Sequence, residues 1–392
     1  MFSQRTSWNR TINPLSLAVA DRRRAGLPVL DLGESNPTRV GLSPSWSELG
    51  PLLDRPQATN YTPDPFGLPH ARQCVARYLG HRVPAEHVLL SASTSEAYAW
   101  ILQILCNPGD VVLVPTPSYP LLEYLAGLAA VELQTYPTTY VGGEWHVDLA
   151  SLQQSIGPRT RAVVVVSPNN PTGAVLNPSE VQSLQAICAE HQLALVVDEV
   201  FAEWLGAQYH ETPAELHTLA GLDQCLTLVM SGLSKVLLLP QLKLAWTAVS
   251  GPMPLVQEAL HRLEIVADTS LSLATPVQWA LPDLLDLRRA WQAPLRQRLR
   301  QNRLILGQLT AHTAVTALPA QGGWSAVLRV PATMSDEDRA LQQLQQHGTL
   351  FQPGYFFDFT SNGWLVLGLL QPPDLFEPAL AQLLAAVHAD CG

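Results

Sequence analysis

Short continuous runs of apolar residues alternate with longer amphipathic stretches from about residue 50 to residue 275. Continuous runs of Val and Leu are typical of strands covered on both faces of a sheet. Several of the stretches between them begin at Ser, Asn or Pro, which favour helix starts. The alternation predicts a largely parallel sheet with helices on both sides. The apolar runs span residues 88–90, 111–114, 162–166, 193–197, 226–229 and 242–249, and the helical stretches span residues 95–106, 120–130, 178–191 and 254–267.

The pattern changes after about residue 275. A long stretch rich in Arg, Gln and Leu predicts an extended helix, and two apolar runs and a closing amphipathic stretch follow it. We therefore predict a second, smaller α+β unit that the N-terminal residues join. The stretches are 282–309, 326–330, 364–370 and 375–389, and the predicted domains are a large one over 46–280 and a small one over 1–45 and 281–392.

Composition excludes several classes of function. With 47% hydrophobic and 14% charged residues, the chain of 392 residues is expected to be globular. A net charge of −10 and the absence of long basic runs argue against binding to nucleic acid or anionic lipid. Five cysteines without a C-x-x-C pair and eleven histidines without metal-type spacing predict neither disulfides nor a metal site. No apolar run is long enough to span a bilayer, so we expect a cytoplasmic protein.

Lysine is almost missing from this chain. Of its 23 basic residues, only Lys235 and Lys243 are lysine, and the rest are arginine. Arginine replaces lysine easily on a solvated surface, but its guanidinium stays protonated and cannot act as a nucleophilic amine. The two lysines are therefore candidates for a chemical role.

Polar side chains follow three of the predicted strands directly. The first strand leads into residues 167–173, a turn that carries two asparagines. The second ends at Asp198 and the third leads to Lys235. Because ligands of parallel sheets collect at the carboxyl ends of the strands, an amide, a carboxylate and a rare amine are expected in one site.

The motifs S-P-N-N-P-T-G, D-E-V-F and S-G-L-S-K, with Lys243 in Q-L-K-L-A-W, occur in an order and at spacings that closely resemble those of one enzyme family. That family is the pyridoxal-phosphate-dependent aminotransferases of fold type I, class I/II. The resemblance implies a mostly parallel seven-stranded central sheet, a homodimer, and pyridoxal 5'-phosphate as cofactor. It also implies ping-pong transfer of an amino group between an amino acid or amine and a 2-oxo acid.

The resemblance assigns roles to the residues at the strand ends. Lys235 matches the lysine that forms an imine with the cofactor aldehyde and then serves as the general base. Asp198 matches the carboxylate that keeps the ring nitrogen of the cofactor protonated. Asn170 matches the donor to the ring oxygen, whereas Asn169 is either a second donor or only a turn former.

The phosphate of the cofactor needs fixed hydrogen-bond donors. Ser93, Thr94 and Ser95 follow a strand and open a helix, where free N–H groups attract an anion. They match the phosphate loop of the family, although the same residues also suit an ordinary helix cap. Ser231 and Ser234 flank the lysine and are further candidate donors.

Three more matches concern the surroundings of the cofactor. Lys243 occupies a position where most members of the family place an arginine against the phosphate. Tyr61 matches the tyrosine that reaches the phosphate across the dimer interface, and Tyr119 matches the aromatic residue stacked on the cofactor ring. Both tyrosines are also compatible with a purely structural role.

Two positions depart from the family pattern. Phe201 stands where many relatives carry a tyrosine that bonds the ring oxygen. Val366 stands where relatives usually carry the arginine that binds the substrate α-carboxylate, which an apolar side chain cannot do. Either another cation binds it, with Arg39 as the first candidate, or the substrate has no α-carboxylate. Asn36, near Arg39, is a further candidate substrate residue. The aromatic cluster at residues 355–359 belongs to the core or lines a substrate pocket.

Two other functions remain open from the sequence. The same fold and cofactor also support a lyase, a decarboxylase or a cyclising synthase, and the missing arginine favours that alternative. A regulatory ligand-binding module would need a DNA-binding segment, and the sequence carries no basic region for one.

Overall fold

The computed structural model of this protein describes residues 1–120, 122–210 and 216–390, and Cys391 lies outside these ranges. The described α-helices are α1 Pro14–Arg24, α2 Trp46–Leu53, α3 Pro69–Tyr78, α4 Thr94–Leu105, α5 Leu122–Ala129, α6 Leu149–Gln154, α7 Pro178–Glu190, α8 Leu233–Val236, α9 Met253–Asp268, α10 Thr275–Asp286, α11 Arg288–Thr310, α12 Asp336–His347 and α13 Pro373–Ala389. The described strands are β1 Leu30–Asp31, β2 Val88–Ser91, β3 Val111–Thr116, β4 Glu132–Val141, β5 Glu144–Val147, β6 Thr160–Val166, β7 Ala194–Asp198, β8 Thr227–Gly232, β9 Ala245–Ser250, β10 Thr316–Ala317, β11 Ser325–Arg329, β12 Thr349–Leu350, β13 Gln352–Pro353 and β14 Trp364–Gly368.

The large sheet confirms the predicted α/β architecture. Its strand order is β2-β9-β8-β7-β6-β3-β4-β5. Strand β9 is antiparallel to both of its neighbours, whereas β8, β7, β6, β3 and β4 pair in parallel. The prediction of seven strands covers the sheet up to β4. The eighth strand, β5, exists because β4 turns back at Gly142 and Gly143, whose positive φ angles of 64° and 93° suit glycine.

Strand β4 was not among the apolar runs recognised in the sequence. It carries polar residues at most positions, and Tyr136 alone of its ten residues is buried. Its position next to the edge strand β5 explains this composition, because the outer strands are covered less completely than the Val-rich strands in the centre. Neither hydrophobic periodicity nor a continuous apolar run therefore predicts it.

Three central strands end at the same level of the sheet. In the parallel register Val166 of β6 lies beside Asp198 of β7, and Asp198 lies beside Met230 of β8. Their interior positions are buried because helices cover both faces, as the continuous Val runs predict. The segments that follow these strands therefore emerge side by side.

Local capping fixes the helix that begins nearest to these strand ends. Helix α4 begins after Ser93, whose hydroxyl accepts a hydrogen bond from the backbone N–H of Glu96 at 3.2 Å. The side chain of Glu96 accepts the N–H of Ala92 in return at 2.7 Å. Both bonds satisfy backbone donors at the start of the helix, so the helix begins at a defined point directly after β2.

The smaller α+β unit contains an antiparallel sheet with strand order β10-β11-β14-β13. The N-terminal segment joins it through β1, which pairs in parallel with β12. The predicted boundary at residues 280 and 281 falls within α10, whose buried Val277 and Leu284 belong to the core of the large sheet. We therefore propose that the division between the domains follows α10.

The helices and the metal-type side chains of the described ranges can be compared with what a membrane span or a metal site requires. None of their helices combines the length and the apolar composition needed to cross a bilayer. In the same ranges, no three His, Cys, Asp or Glu side chains are grouped so that they could hold a metal ion. The four described cysteines are free thiols.

Candidate active site

A cavity of about 520 Å³ lies at the carboxyl edge of the large sheet. Its wall combines the ends of β6 and β7, residues after β8, and residues of the smaller unit. This volume is typical of a site for a small organic ligand. Six of the residues predicted from the sequence line it: Thr94, Tyr119, Asn170, Asp198, Ser234 and Lys235.

Lys235 lies in the short helix α8, directly after β8. Its Nζ atom is 4.7 Å from the centroid of the Trp324 ring and 5.4 Å from the centroid of the Phe201 ring. Burial lowers the pKa of this amine to about 8, although the negative charge of Asp198 acts in the opposite direction. A substantial fraction of the amine is therefore unprotonated near neutral pH, as a nucleophile requires.

Asp198 is the last residue of β7 and its carboxylate enters the same cavity. Burial raises its pKa to about 6, while the backbone N–H of Val200, the hydroxyl of Tyr98 and the charge of Lys235 oppose that rise. Val200 N donates to Oδ1 at 3.1 Å and Tyr98 Oη donates to Oδ2 at 3.3 Å. At neutral pH the carboxylate is ionised in a fixed orientation, with Lys235 nearby.

Tyr98 is a functional candidate that the sequence did not indicate. It lies in α4, where an aromatic residue on the buried face of a helix is indistinguishable from core, and it is buried and lines the cavity. Among the described residues, the only polar partner of its hydroxyl is Asp198. It is therefore a positioning residue for that carboxylate.

Replacing Tyr98 with phenylalanine should weaken the binding of a ligand whose positively charged ring nitrogen lies beside Asp198. Losing one hydrogen bond to a charged group costs about 1.5 to 3 kcal/mol, so we expect the affinity for pyridoxal phosphate, the cofactor that the resemblance implies, to fall roughly 10- to 150-fold. The loss should grow as pH falls towards 6, because removing the hydroxyl raises the pKa of Asp198 further. The measurement is an absorbance titration of the apoprotein at several pH values.

Tyr136→Phe is the matched control for this substitution. Tyr136 is also fully buried, but its hydroxyl donates to the carbonyl of Val164 at 2.7 Å. Its loss should lower stability while leaving the pH dependence of cofactor binding unchanged. Equal effects of both variants would contradict a specific role for Tyr98.

The two asparagines of the turn after β6 have different environments. Asn169 is buried and its Oδ1 accepts the N–H of Thr172 at 3.2 Å and the Thr172 hydroxyl at 2.8 Å. This residue shapes the turn, which was one of the two alternatives. Asn170 lines the cavity, and its Oδ1 accepts the hydroxyl of Ser325 at 3.4 Å. The bond leaves the amide N–H group of Asn170 available to a ligand oxygen.

The predicted phosphate-binding residues are only partly brought together. Thr94 lines the cavity at the start of α4, whereas the Ser93 hydroxyl caps the helix and Ser95 is not among the lining residues. Ser234 lines the cavity. Ser231 is buried, and its hydroxyl donates to the carbonyl of Glu199 at 3.2 Å.

Tyr61 and Lys243 also lie outside this cavity. Tyr61 is 71% exposed. Lys243 is exposed as well, in a left-handed conformation with φ of 52° after the 3₁₀ turn Pro240–Leu242. Tyr119, in contrast, lines the cavity with much of its ring exposed. Tyr119 therefore presents an aromatic face to a ligand without help from another chain.

The candidates for binding a carboxylate are not in the cavity wall. Arg39 is 69% exposed and its guanidinium is 3.5 Å from the carboxylate of Glu34. The Oδ1 of Asn36 accepts the N–H and the hydroxyl of Thr38, so it caps the 3₁₀ turn that carries Arg39. Val366 is buried in a cluster with Trp145 and other apolar residues. Neither candidate is among the lining residues, although Ser35 of the same segment is.

Several cavity residues were not predicted. Trp324 and Ser325 precede or begin β11, and their position in the smaller unit shows no periodicity that points to the cavity. Glu123 lies in the first turn of α5 and looks like an ordinary surface residue in the sequence. Phe357 and Asp358 of the aromatic cluster line the cavity, whereas Phe359 packs in the core. The only signal in the sequence was the aromatic cluster at residues 355–359. Its residues divide between the two predicted roles, pocket lining and core.

Comparison with known proteins identifies the class of protein that this sheet and cavity define. The family profile described as aminotransferase class I and II matches residues 28–370. The chain therefore belongs to the class I and II aminotransferase family, as its motifs predicted, and it has the fold of type I.

Individual relatives agree with this assignment. The glutamate-pyruvate aminotransferase AlaA of Escherichia coli is 30% identical over 266 residues, which are 66% of this chain and 64% of that protein. The aspartate/prephenate aminotransferase of Thermus thermophilus is 29% identical over 82% of each chain. Among solved structures, an alanine aminotransferase from Pyrococcus furiosus has a TM-score of 0.88 and 23% identity over 99% of both chains. That level of identity supports the fold alone.

Proposed function

We propose that this protein is a pyridoxal-phosphate-dependent aminotransferase in which Lys235 attaches the cofactor. The observation that supports this most directly is the meeting of Lys235 and Asp198 in one cavity at the carboxyl edge of the sheet. An amine of lowered pKa next to a fixed carboxylate is the pair that this chemistry needs. Membership of the aminotransferase family supports the same reaction.

The donors around the cavity fit the functional groups of pyridoxal phosphate. The Asp198 carboxylate suits a protonated ring nitrogen, and the free amide N–H of Asn170 suits the ring oxygen. Thr94 and Ser234 supply hydroxyl groups for the phosphate, with the N-terminus of α4 adding favourable partial charge. When bound, the cofactor supplies an aldehyde carbon that accepts nitrogen and a ring that withdraws electrons from the donor carbon.

Each residue of the pair has one task in this proposal. Unprotonated Lys235 is the nucleophile towards the aldehyde, and later its free amine moves the proton from the donor carbon. Ionised Asp198 would hold the ring nitrogen in its charged form, because a cation beside a buried carboxylate is strongly favoured. In the half-reaction the donor exchanges nitrogen for oxygen: R₂CH–NH₂ and R'CHO give R₂C=O and R'CH₂–NH₂.

A homodimer would give roles to Tyr61 and Lys243, which lie outside the cavity. In this proposal Tyr61 of one protomer reaches the phosphate site of the other, and the high exposure of its ring in a single chain agrees with such a role. Lys243 would add a compact positive charge near the phosphate. We also propose that the protein acts in the cytoplasm and that a 2-oxo acid is the acceptor, with pyruvate as the trial compound because the Escherichia coli relative is named for it.

The test follows the cofactor spectroscopically. Protein saturated with pyridoxal phosphate should gain an absorption band at the violet edge of the visible range. An amino donor alone should bleach the band by at most one equivalent, and pyruvate should restore it. A lyase or decarboxylase would regain the band without pyruvate. If saturating cofactor produces no band, the proposed function is wrong.

A further inference from the structure

The described wall of the cavity contains no arginine, and its only cationic side chain is Lys235. The strand position of the carboxylate-binding arginine is filled by Val366, which packs against apolar residues. Two other arginines, Arg39 and Arg298, have partners of their own. Arg39 faces Glu34 at the surface, and Arg298 donates to the carbonyls of Val40 and Leu370. A donor with a carboxylate on its reacting carbon would therefore enter a cavity without a partner for that charge.

The same wall contains two acidic side chains that the reaction does not use. Glu123 comes from the first turn of α5, and Asp358 follows the 3₁₀ turn Gly354–Phe357. Neither carboxylate has an ion pair or a hydrogen bond among the described residues, in contrast to Asp198. The cavity wall therefore carries two unpartnered carboxylates in addition to the pair formed by Lys235 and Asp198.

The backbone holds Asp358 at the cavity wall. Thr116 at the end of β3 donates its hydroxyl to the Asp358 carbonyl at 3.0 Å, and the N–H of Ser118 donates to the Phe357 carbonyl at 3.0 Å. Because Phe357 itself is buried, the adjacent carboxylate belongs to a fixed turn of the wall. Partial burial also raises the pKa of Asp358. A ligand cation beside this carboxylate would lower the pKa again, because it favours the ionised form.

We propose that the amino donor is a primary amine with no carboxylate on its reacting carbon and with a second positively charged group, the simplest case being an alkane diamine. The inference rests on the proposed aminotransferase function and names its substrate class. One amino group reacts at Lys235, and the second ammonium lies against Asp358 and Glu123. The reacting carbon loses its nitrogen to the cofactor aldehyde and leaves as an aldehyde, so a diamine yields an amino aldehyde.

The experiment compares three donors on the holoenzyme. The bleaching rate per concentration of donor is measured for 1,4-diaminobutane, for the matched monoamine 1-aminobutane, and for L-alanine. Two partly exposed ion pairs are together worth up to about tenfold, so we expect about a tenfold preference for the diamine over the monoamine. The preference should shrink as salt is added, because the attraction is electrostatic. L-alanine should react more slowly than the diamine.

Variants test which residues carry the preference. Asp358→Asn and Glu123→Gln should each lower the ratio of diamine to monoamine rates by about threefold. Glu377→Gln removes one negative charge from an exposed position of α13 and should leave the ratio unchanged. A ratio insensitive to the first two substitutions would overturn the inference.

The outcomes separate this inference from the proposed function. If L-alanine bleaches the band faster than the diamine, the substrate class is wrong and the aminotransferase function stands. That result would also imply that a second copy of the chain supplies the cation for the carboxylate. If the band forms and no donor bleaches it, both the function and the substrate class are wrong.

Discussion

Replacing Lys235 with alanine is expected to lower the rate of amino transfer by roughly 10⁴-fold or more, since it removes both the nucleophile and the general base. The side chain is the only amine in the described wall of the cavity, so no neighbour can replace it. Stopped-flow measurement of donor-induced bleaching gives the rate. Borohydride treatment followed by peptide mass spectrometry should detect the cofactor on Lys235 in the wild type and on no residue of the variant.

Because lysine is so scarce in this chain, variants of Lys235 and Lys243 test the site of cofactor attachment completely. Lys235→Arg keeps a positive charge beside Asp198, yet it should be as inactive as the alanine variant because a guanidinium does not lose its proton. Lys243→Arg replaces the only other lysine with the residue that the family usually carries there. The cofactor should still attach to Lys235 in that variant. Attachment at Lys243 in the wild type would contradict the assignment.

The central part of the site was predictable because sequence neighbours become spatial neighbours there. Asp198 and Lys235 each follow a Val-rich or Leu-rich strand, and parallel strands bring their carboxyl ends to one edge of the sheet. The family resemblance added the roles of these residues. The structure brings both residues into one cavity.

There is a physical reason why the outer part of the site could not be predicted from the sequence. Trp324 and Asp358 come from the smaller unit and Tyr98 from the interior of a helix, so their approach depends on how whole elements pack. Apolar and polar patterns report which face of an element is buried, but they do not report what lies across from it. The same limit applies to Arg39, whose placement depends on a turn capped by Asn36.

The role proposed for Asp198 comes with a cost in stability, and replacing the residue should reveal both effects. Because burial raises the pKa of this carboxyl from 3.8 to about 6 in the folded state, the folded protein binds a proton more readily than the unfolded chain. Above pH 6 the buried charge therefore destabilises the apoprotein by about 2 to 3 kcal/mol. The penalty decreases as pH falls from 6 towards 4, where the carboxyl becomes protonated in both states.

Asp198→Asn removes this charge and keeps one oxygen that can still accept the Val200 N–H, while its amide N–H₂ can donate to the Tyr98 hydroxyl. The free energy of unfolding of the apoprotein, measured by urea denaturation, should rise by about 2 kcal/mol at pH 7.5 and by clearly less at pH 5. Asp223→Asn removes an exposed carboxylate instead and should change neither value. A gain that is equal at both pH values would contradict the burial of a charged Asp198.

Pyridoxal phosphate should reverse the order of stability of the two proteins. A ligand stabilises the folded state in proportion to its binding, and a ring cation binds the wild-type carboxylate far better than a neutral amide. The melting temperature of the wild type should therefore rise steeply with added cofactor, while that of Asp198→Asn rises little. Turnover of the variant should fall by about 10²- to 10³-fold, because the ring nitrogen loses the charge that holds its proton. The residue that weakens the empty protein would thus be the one that lets the cofactor stabilise it, and equal thermal shifts in both proteins would show that Asp198 does not contact the ring.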